Sequence, residues 1–390
     1  MLLTCSGGPV GVGVRDGVGV DVMVAPGELG VADGITEEEA AGPASPPELA
    51  HPATIRTTPI TSIAIRWPRL PLKVPTAVWC HRTADVAQLV ERQLPKLNVA
   101  SSSLVIRSTT VHVRHTHDVL TTLSTGAQVF IEDTGAPTPE AETIVFGHGL
   151  LFSGRMFKAQ VAALRDRYRC VTIDWRGQGR SGPAPDGRYD MDALTEDAVA
   201  LIDSLDAGPV HYAGLSMGGF VGIRLAARHP ERLASLTLLD TSADPEEPGN
   251  VREYQLLAAV YRLVGMRPLM KPVAKIMFGS TSLAGPRAGE IVSSLVEAMT
   301  GVDRAAMKQA ILGVCHRPAV ADLLAQIATP TLVIVGAEDA ATVPAKAAAI
   351  ASGIPGAQHE VVPAAGHSST VEQPEAVTAL MTRFLDRVAR

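Results

Sequence analysis

Between residues 209 and 228 the chain passes from an apolar run, Pro209-Val210-His211-Tyr212-Ala213, through Gly214-Leu215-Ser216-Met217-Gly218-Gly219 into Phe220-Val221-Gly222-Ile223-Arg224-Leu225-Ala226-Ala227-Arg228. That is G-x-S-x-G set between a short strand and a helix. The pattern constrains the fold strongly, because it fits a strand-to-helix turn so sharp that the central serine is held in a strained conformation with its hydroxyl in a cleft. Side chains in place of the flanking glycines would collide with the neighbouring strand and helix. A pattern this short recurs by chance, so its weight depends on the residues around it.

A serine hydroxyl is a poor nucleophile at neutral pH. It needs a histidine to take its proton and a carboxylate to orient that histidine. Downstream, the buried-strand pattern Thr331-Leu332-Val333-Ile334-Val335-Gly336 delivers Ala337-Glu338-Asp339 at its carboxyl end, and Gln358-His359-Glu360-Val361-Val362 delivers Pro363-Ala364-Ala365-Gly366-His367. Ser216, Asp339 and His367 thus follow in the chain order that the strand-turn-helix motif demands. Glu338 and Asp240, the latter ending Ser235-Leu236-Thr237-Leu238-Leu239, compete for the acid position; His359, inside a strand, is a weaker rival for the base. Backbone N–H groups must also stabilise the oxyanion that develops on the substrate. Met217 follows the serine, and Leu150 lies in the loop His148-Gly149-Leu150-Leu151 after the strand Thr143-Ile144-Val145-Phe146-Gly147. His148, Asp174 and Arg176 read as structural residues that brace loops and turns.

With Asp174-Trp175-Arg176-Gly177-Gln178-Gly179-Arg180-Ser181 and Pro230-Glu231-Arg232-Leu233, these residues resemble the α/β-hydrolase superfamily, specifically its enol-lactonase, haloperoxidase-like and carboxylesterase branch. The resemblance spans roughly 120–390. It implies an enzyme that cleaves a small-molecule ester or lactone, with no metal or organic cofactor. It also leaves room for an acyltransferase or perhydrolase with the same triad, or for a hydrolase-like protein that only binds a small ligand. An Asp nucleophile, as haloalkane dehalogenases and epoxide hydrolases use, is disfavoured by Ser216.

Alternating strand and helix signals predict an α/β fold with a mostly parallel central sheet flanked by helices. Strands are expected at 127–133, 143–147, 168–174, 209–214, 234–240, 331–336 and 358–362, and helices near 155–166, 190–206, 217–229, 343–352 and 374–389. The hydrolase core is assigned to 111–242 and 323–390. Between them, 243–322 reads as a helical cap insertion, with helical apolar spacing at 254–261, 273–278 and 305–312. Its methionines (Met266, Met270, Met277, Met299, Met307) predict an adaptable apolar lining, while Arg252, Arg262, Arg267, Lys271 and Lys275 read as a solvated face or as partners for an acidic substrate.

Residues 1–110 carry no steady period and are expected to be spurious or disordered. Residues 84–107 resemble a translated transfer-RNA gene. Ala84-Asp85-Val86 and Val105-Ile106-Arg107 can be encoded by reverse-complementary ends, and Ser101-Ser102-Ser103 by a T-loop sequence. No Met lies between Met23 and Met156, so a GTG start at Val111, Val113 or Val119 is expected. The net charge of −6 argues against a general nucleic-acid binder. Four scattered cysteines (Cys5, Cys80, Cys170, Cys315) and the lack of an apolar run of about 18 residues point to a reduced, cytoplasmic protein without a membrane span.

Overall fold

The computed structural model describes residues 117–388 continuously, together with Val10–Gly13, Gly19–Val22 and Val113–His115, three short strands that pair antiparallel with one another. The segment 84–107, Val111, Cys5 and Cys80 lie outside the described residues.

Within 117–388, eight strands form one sheet. They are β1 (His117–Thr122), β2 (Gln128–Asp133), β3 (Thr143–Gly147), β4 (Arg169–Asp174), β5 (Val210–Leu215), β6 (Leu233–Leu239), β7 (Thr331–Gly336) and β8 (Gln358–Val362). Their spatial order is β8-β7-β6-β5-β3-β4-β2-β1. β1 pairs antiparallel with β2 and β2 with β4, and every other pairing is parallel. β3, β5, β6 and β7 are buried along their whole length, as expected for parallel strands covered on both faces. β1 is an addition to the predicted strands. Its residues HDVLTT carry no apolar run, and Val119 and Leu120 stay exposed.

Alternation along each strand sends side chains to two separate apolar cores. Val145 of β3 joins one, while its neighbours Ile144 and Phe146 join the other. The first core is closed by α2 (Met191–Ser204), α3 (Met217–Arg228) and α9 (Pro344–Gly353). The second is closed by α1 (Lys158–Leu164) and α11 (Pro374–Val388), with the four-residue α10 (Ser369–Glu372) leading into α11.

Between β6 and β7 the chain forms α4 (Pro248–Val264), α5 (Met270–Met277), α6 (Ser280–Ala284), α7 (Ala288–Ala298) and α8 (Arg304–Cys315). The three predicted helical stretches fall in α4, α5 and α8; α6 and α7 are additional. Met277, Phe278, Leu295 and Met307 of this insertion share the second core with Phe146, Phe152 and Phe384. Among the described residues no helix is long and apolar enough to cross a membrane.

The register places Leu215 of β5 opposite Leu239 of β6, Leu239 opposite Ile334 of β7, and Gly336 opposite Val362 of β8. The carboxyl ends of four parallel strands are therefore brought level. Ser216, Asp240, Asp339 and His367 all lie in the loops that leave this edge, where ligand sites in open α/β sheets gather.

Candidate active site

Ser216 occupies the single residue between β5 and α3, with φ 51° and ψ −109°. A non-glycine residue in this region costs about 1–3 kcal/mol and persists only where its surroundings enforce it. Here the constraint is steric. A Cβ on Gly218 would lie 2.0 Å from the Gly147 carbonyl oxygen, and one on Gly214 2.2 Å from that of Gly218. The Ser216 N–H donates to Leu239 O at 2.9 Å, and the Thr241 hydroxyl donates to Ser216 O at 2.8 Å. Through its own N–H and C=O the serine is thus fastened to the last residue of β6 and to Thr241 in the loop just beyond.

The Ser216 Oγ lies 2.9 Å from His367 Nε2. On the far side of the ring, His367 Nδ1 is 3.1 and 3.0 Å from the two carboxylate oxygens of Asp339. Asp339 is anchored by the N–H groups of Ala341 and Thr342, at 2.9 and 2.8 Å, and by the Thr342 hydroxyl at 2.8 Å. All three side chains are buried. Residues separated by up to 151 positions in the chain thus form one hydrogen-bonded line. Thr342 had no signal in the sequence beyond following the acidic residue by three.

Burial pushes the His367 imidazole down, but the charge and hydrogen bond of Asp339, with the nearby carboxyl groups of Asp240 and Glu372, outweigh it and raise the pKa above 6.5. Burial likewise pushes the Asp339 carboxyl up, and His367 together with the Thr342 donors holds it below the usual range. Asp240 responds in the opposite sense. It is fully buried and faces the charge of Asp339, and is pushed up to about 8. Its oxygens accept from Gly336 N–H at 2.8 Å and from the N–H and hydroxyl of Ser369 at 3.1 and 2.6 Å, so Asp240 bonds to the strand end and to α10, not to His367. Glu338 accepts from Ser280 and Thr281, and His359 is exposed on the edge strand β8. Of the rival acids and bases, none takes the place beside Ser216 or His367 that Asp339 and His367 hold.

The loop after β3 is braced from behind. His148 is fully buried and its pKa is lowered by that burial. Its Nε2 accepts from Trp175 N–H at 3.0 Å, which leaves Nδ1–H to donate to Gly149 O at 2.7 Å. The N–H groups of Leu150 and Met217 donate to no protein acceptor among the described residues. Asp174 and Arg176 are engaged in turn and helix contacts, with Asp174 accepting from Gly154 and Arg180 N–H groups and Arg176 paired to buried Asp197 at 2.6 Å.

Ser216 and His367 open into a cavity of about 120 Å³. Its walls are largely apolar, with Leu257, Tyr261, Val273, Ile276 and Ile311 from the insertion facing Leu150 and Phe220 from the core. Met266 and Met277 line it, whereas Met299 and Met307 are buried in the second core and Met270 is partly buried against that core. Arg252, Arg262, Arg267, Lys271 and Lys275 are exposed and do not line the cavity. Its charged wall is instead the ion pair Arg317–Glu246, at 2.9 Å, with the guanidinium 4.2 Å from the centre of the Phe220 ring.

Residues 144–380 match the model of the Alpha/beta hydrolase family. A curated relative, 3-oxoadipate enol-lactonase 2 of Acinetobacter baylyi, is 32% identical over 248 residues, covering 62% of this chain and 89% of that protein. Among solved structures, a thermophilic esterase from Thermogutta terrifontis superposes with a TM-score of 0.64 at 31% identity, covering 71% of this chain and all of that one (100%). The enol-lactonase from Burkholderia xenovorans LB400 superposes with a TM-score of 0.63 at 28% identity, covering 68% of this chain and 99% of that one. The strand order, the serine elbow and these matches agree: the chain belongs to the alpha/beta hydrolase family.

Proposed function

We propose that this protein is a serine hydrolase that cleaves a carboxylic ester or lactone of a small, predominantly apolar substrate through an acyl-enzyme. The observation that carries the reading is the line Ser216 Oγ–His367 Nε2–Asp339, with spacings of 2.9 and 3.0 Å. As Ser216 Oγ attacks the carbonyl carbon, its proton passes to His367 Nε2, and Asp339 holds the ring and stabilises the imidazolium. The carbonyl π electrons move onto oxygen, where the Leu150 and Met217 N–H groups receive the charge. Collapse of this intermediate breaks the ester C–O bond, and His367 returns the proton to the leaving alkoxide. In a lactone that alcohol remains joined to the acyl group. Water then repeats the sequence on the acyl-enzyme, giving the acid and free Ser216.

The relatives named as enol-lactonase and esterase support this choice of bond, and the apolar walls support an aliphatic or aromatic acyl group. The test is hydrolysis of a p-nitrophenyl ester series and of simple lactones by the full chain. Turnover is expected with a preference for acyl chains that bury carbon against the insertion, each added CH₂ strengthening kcat/KM by up to about 0.8 kcal/mol until the cavity is filled. A folded protein inactive on every ester and lactone tested would overturn the reading.

The base must be neutral to accept the serine proton. Since the His367 pKa is raised, the kcat/KM profile is expected to fall on its acid side with an apparent pKa above 6.5, the imidazole's ordinary value. A plateau persisting well below that value would argue against His367 as base.

A further inference from the structure

We propose that Glu372 is a positioning residue that holds the helical insertion and the His367 loop as one body, so that the cavity wall and the base move together. The inference rests on the reading of His367 as base. Glu372 ends α10 and is 3% exposed. Its Oε1 accepts from the N–H groups of Gly366 and Ser368, the residues on either side of His367, at 2.9 and 3.1 Å. Its Oε2 accepts at 2.8 Å from the N–H of Gly279, in the turn between α5 and α6 of the insertion. Three backbone donors therefore converge on one side chain. An ionised carboxylate matches them because it offers two acceptor oxygens and no donor.

The two backbones meet directly at this point, since a Cβ on Gly366 would lie 2.1 Å from Gly279 N. The same turn is tied to the acid loop as well. Glu338, next to Asp339, accepts from the Ser280 hydroxyl and the Thr281 N–H, each at 2.9 Å, and from the Thr281 hydroxyl. Three and two residues before Gly279, Ile276 and Met277 still line the cavity. A displacement of that wall is thus transmitted through Gly279 and Glu372 to the peptide groups that carry His367.

The titratable groups that act on His367 are Asp339, Asp240 and Glu372. Negative charge on these carboxyl groups favours the imidazolium, that of Asp339 most strongly because it also bonds the ring directly. A glutamine at 372 removes one of these charges. It also turns an N–H₂ group toward either the Gly279 N–H or the Gly366 and Ser368 pair, so only one side of the tie is kept.

In the full chain, Glu372→Gln is expected to lower kcat by about 100-fold, the scale of a catalytic group displaced by about 1 Å. KM should stay within about threefold, because cavity contacts with the ground state are retained. The acid limb of kcat/KM should move to lower pH, and amide exchange across Gly279–Ala284 should accelerate. Glu338→Gln should accelerate exchange in the same turn without moving the acid limb, a split that a merely structural role for Glu372 would not produce. Glu372→Asp, which keeps the charge but is one methylene short of spanning both partners, should retain the wild-type acid limb while losing exchange protection; it takes the place of Glu372→Gln if that variant does not fold. Wild-type kcat and an unmoved acid limb in folded Glu372→Gln would overturn the inference, as would a moved limb in Glu372→Asp. If the wild type shows no Ser216-dependent turnover, the functional reading fails, and NMR titration of the His367 ring decides the structural one. A lower His367 pKa with faster Gly279 exchange in Glu372→Gln supports the tie, and no change in either overturns it.

Discussion

Ser216→Ala is expected to lower ester turnover by about six orders of magnitude, the scale of loss when the nucleophile of a serine acyl-transfer enzyme is removed. No other side chain in the cavity is placed to substitute. Cys315 also lines it, but burial pushes its thiol up to about 11, so the reactive thiolate is scarce at neutral pH. The fold should not suffer. The elbow's conformation is imposed by Gly214, Gly218 and the bonds to Leu239 and Thr241, none of which involves the serine hydroxyl, and alanine meets the same backbone constraint. Release of p-nitrophenolate, read beside the thermal midpoint, separates the two effects. A folded Ser216→Ala protein that keeps a tenth of the wild-type rate would remove Ser216 as nucleophile, and the acyl-enzyme with it.

For Asp339→Asn the expected loss is about 10⁴-fold in kcat, the scale found when a triad carboxylate becomes an amide and the histidine is held in the wrong tautomer. Asp339 receives His367 Nδ1, two backbone N–H groups and the Thr342 hydroxyl, and an asparagine side chain would turn its own N–H₂ toward some of these donors. The comparison that matters is with Asp240→Asn. Asp240 lies in the neighbouring loop, yet its bonds run to Gly336 and Ser369. Its replacement should therefore cost less in kcat than that of Asp339. The reverse order would transfer the acid role to Asp240.

The parts of this protein most legible in the sequence are those governed by local rules. β5, β6 and β7 announce themselves as continuous apolar runs because parallel strands are buried on both faces. Ser216 stands out because only glycines fit at 214 and 218. The position of the loops that hold Asp339 and His367 follows from strand geometry, which delivers both to one edge of the sheet. What was hidden depends on distant partners. β1 is an edge strand recruited by β2, and its sequence, with exposed Val119 and Leu120 set between pairs of polar residues, lacks the alternation of a half-buried strand and resembles a loop. The cavity's charged pair joins Glu246 at one end of the insertion to Arg317 at the other, a pairing no local pattern reveals. Glu372 sits where a helix is about to begin, so its carboxylate reads as an ordinary first-turn acid; its bond to Gly279 crosses 93 positions. Glu338 reads in the sequence only as a rival acid, and its contacts with Ser280 and Thr281 exist only once the insertion is folded back.

The insertion hangs from the body between β6 and β7, and that arrangement bears on how such a protein can change over generations. The cavity walls belong mostly to 248–315, whereas Ser216, Asp339 and His367 come from loops on either side of that stretch in the chain. Substitutions in α4, α5 or α8 can therefore reshape the cavity while the Ser216–His367–Asp339 line stays in place. That freedom narrows at Gly279, where any side chain would press on Glu338 and the Gly366 backbone. Diversity should accumulate along the inner faces of the long helices and thin out at this one turn.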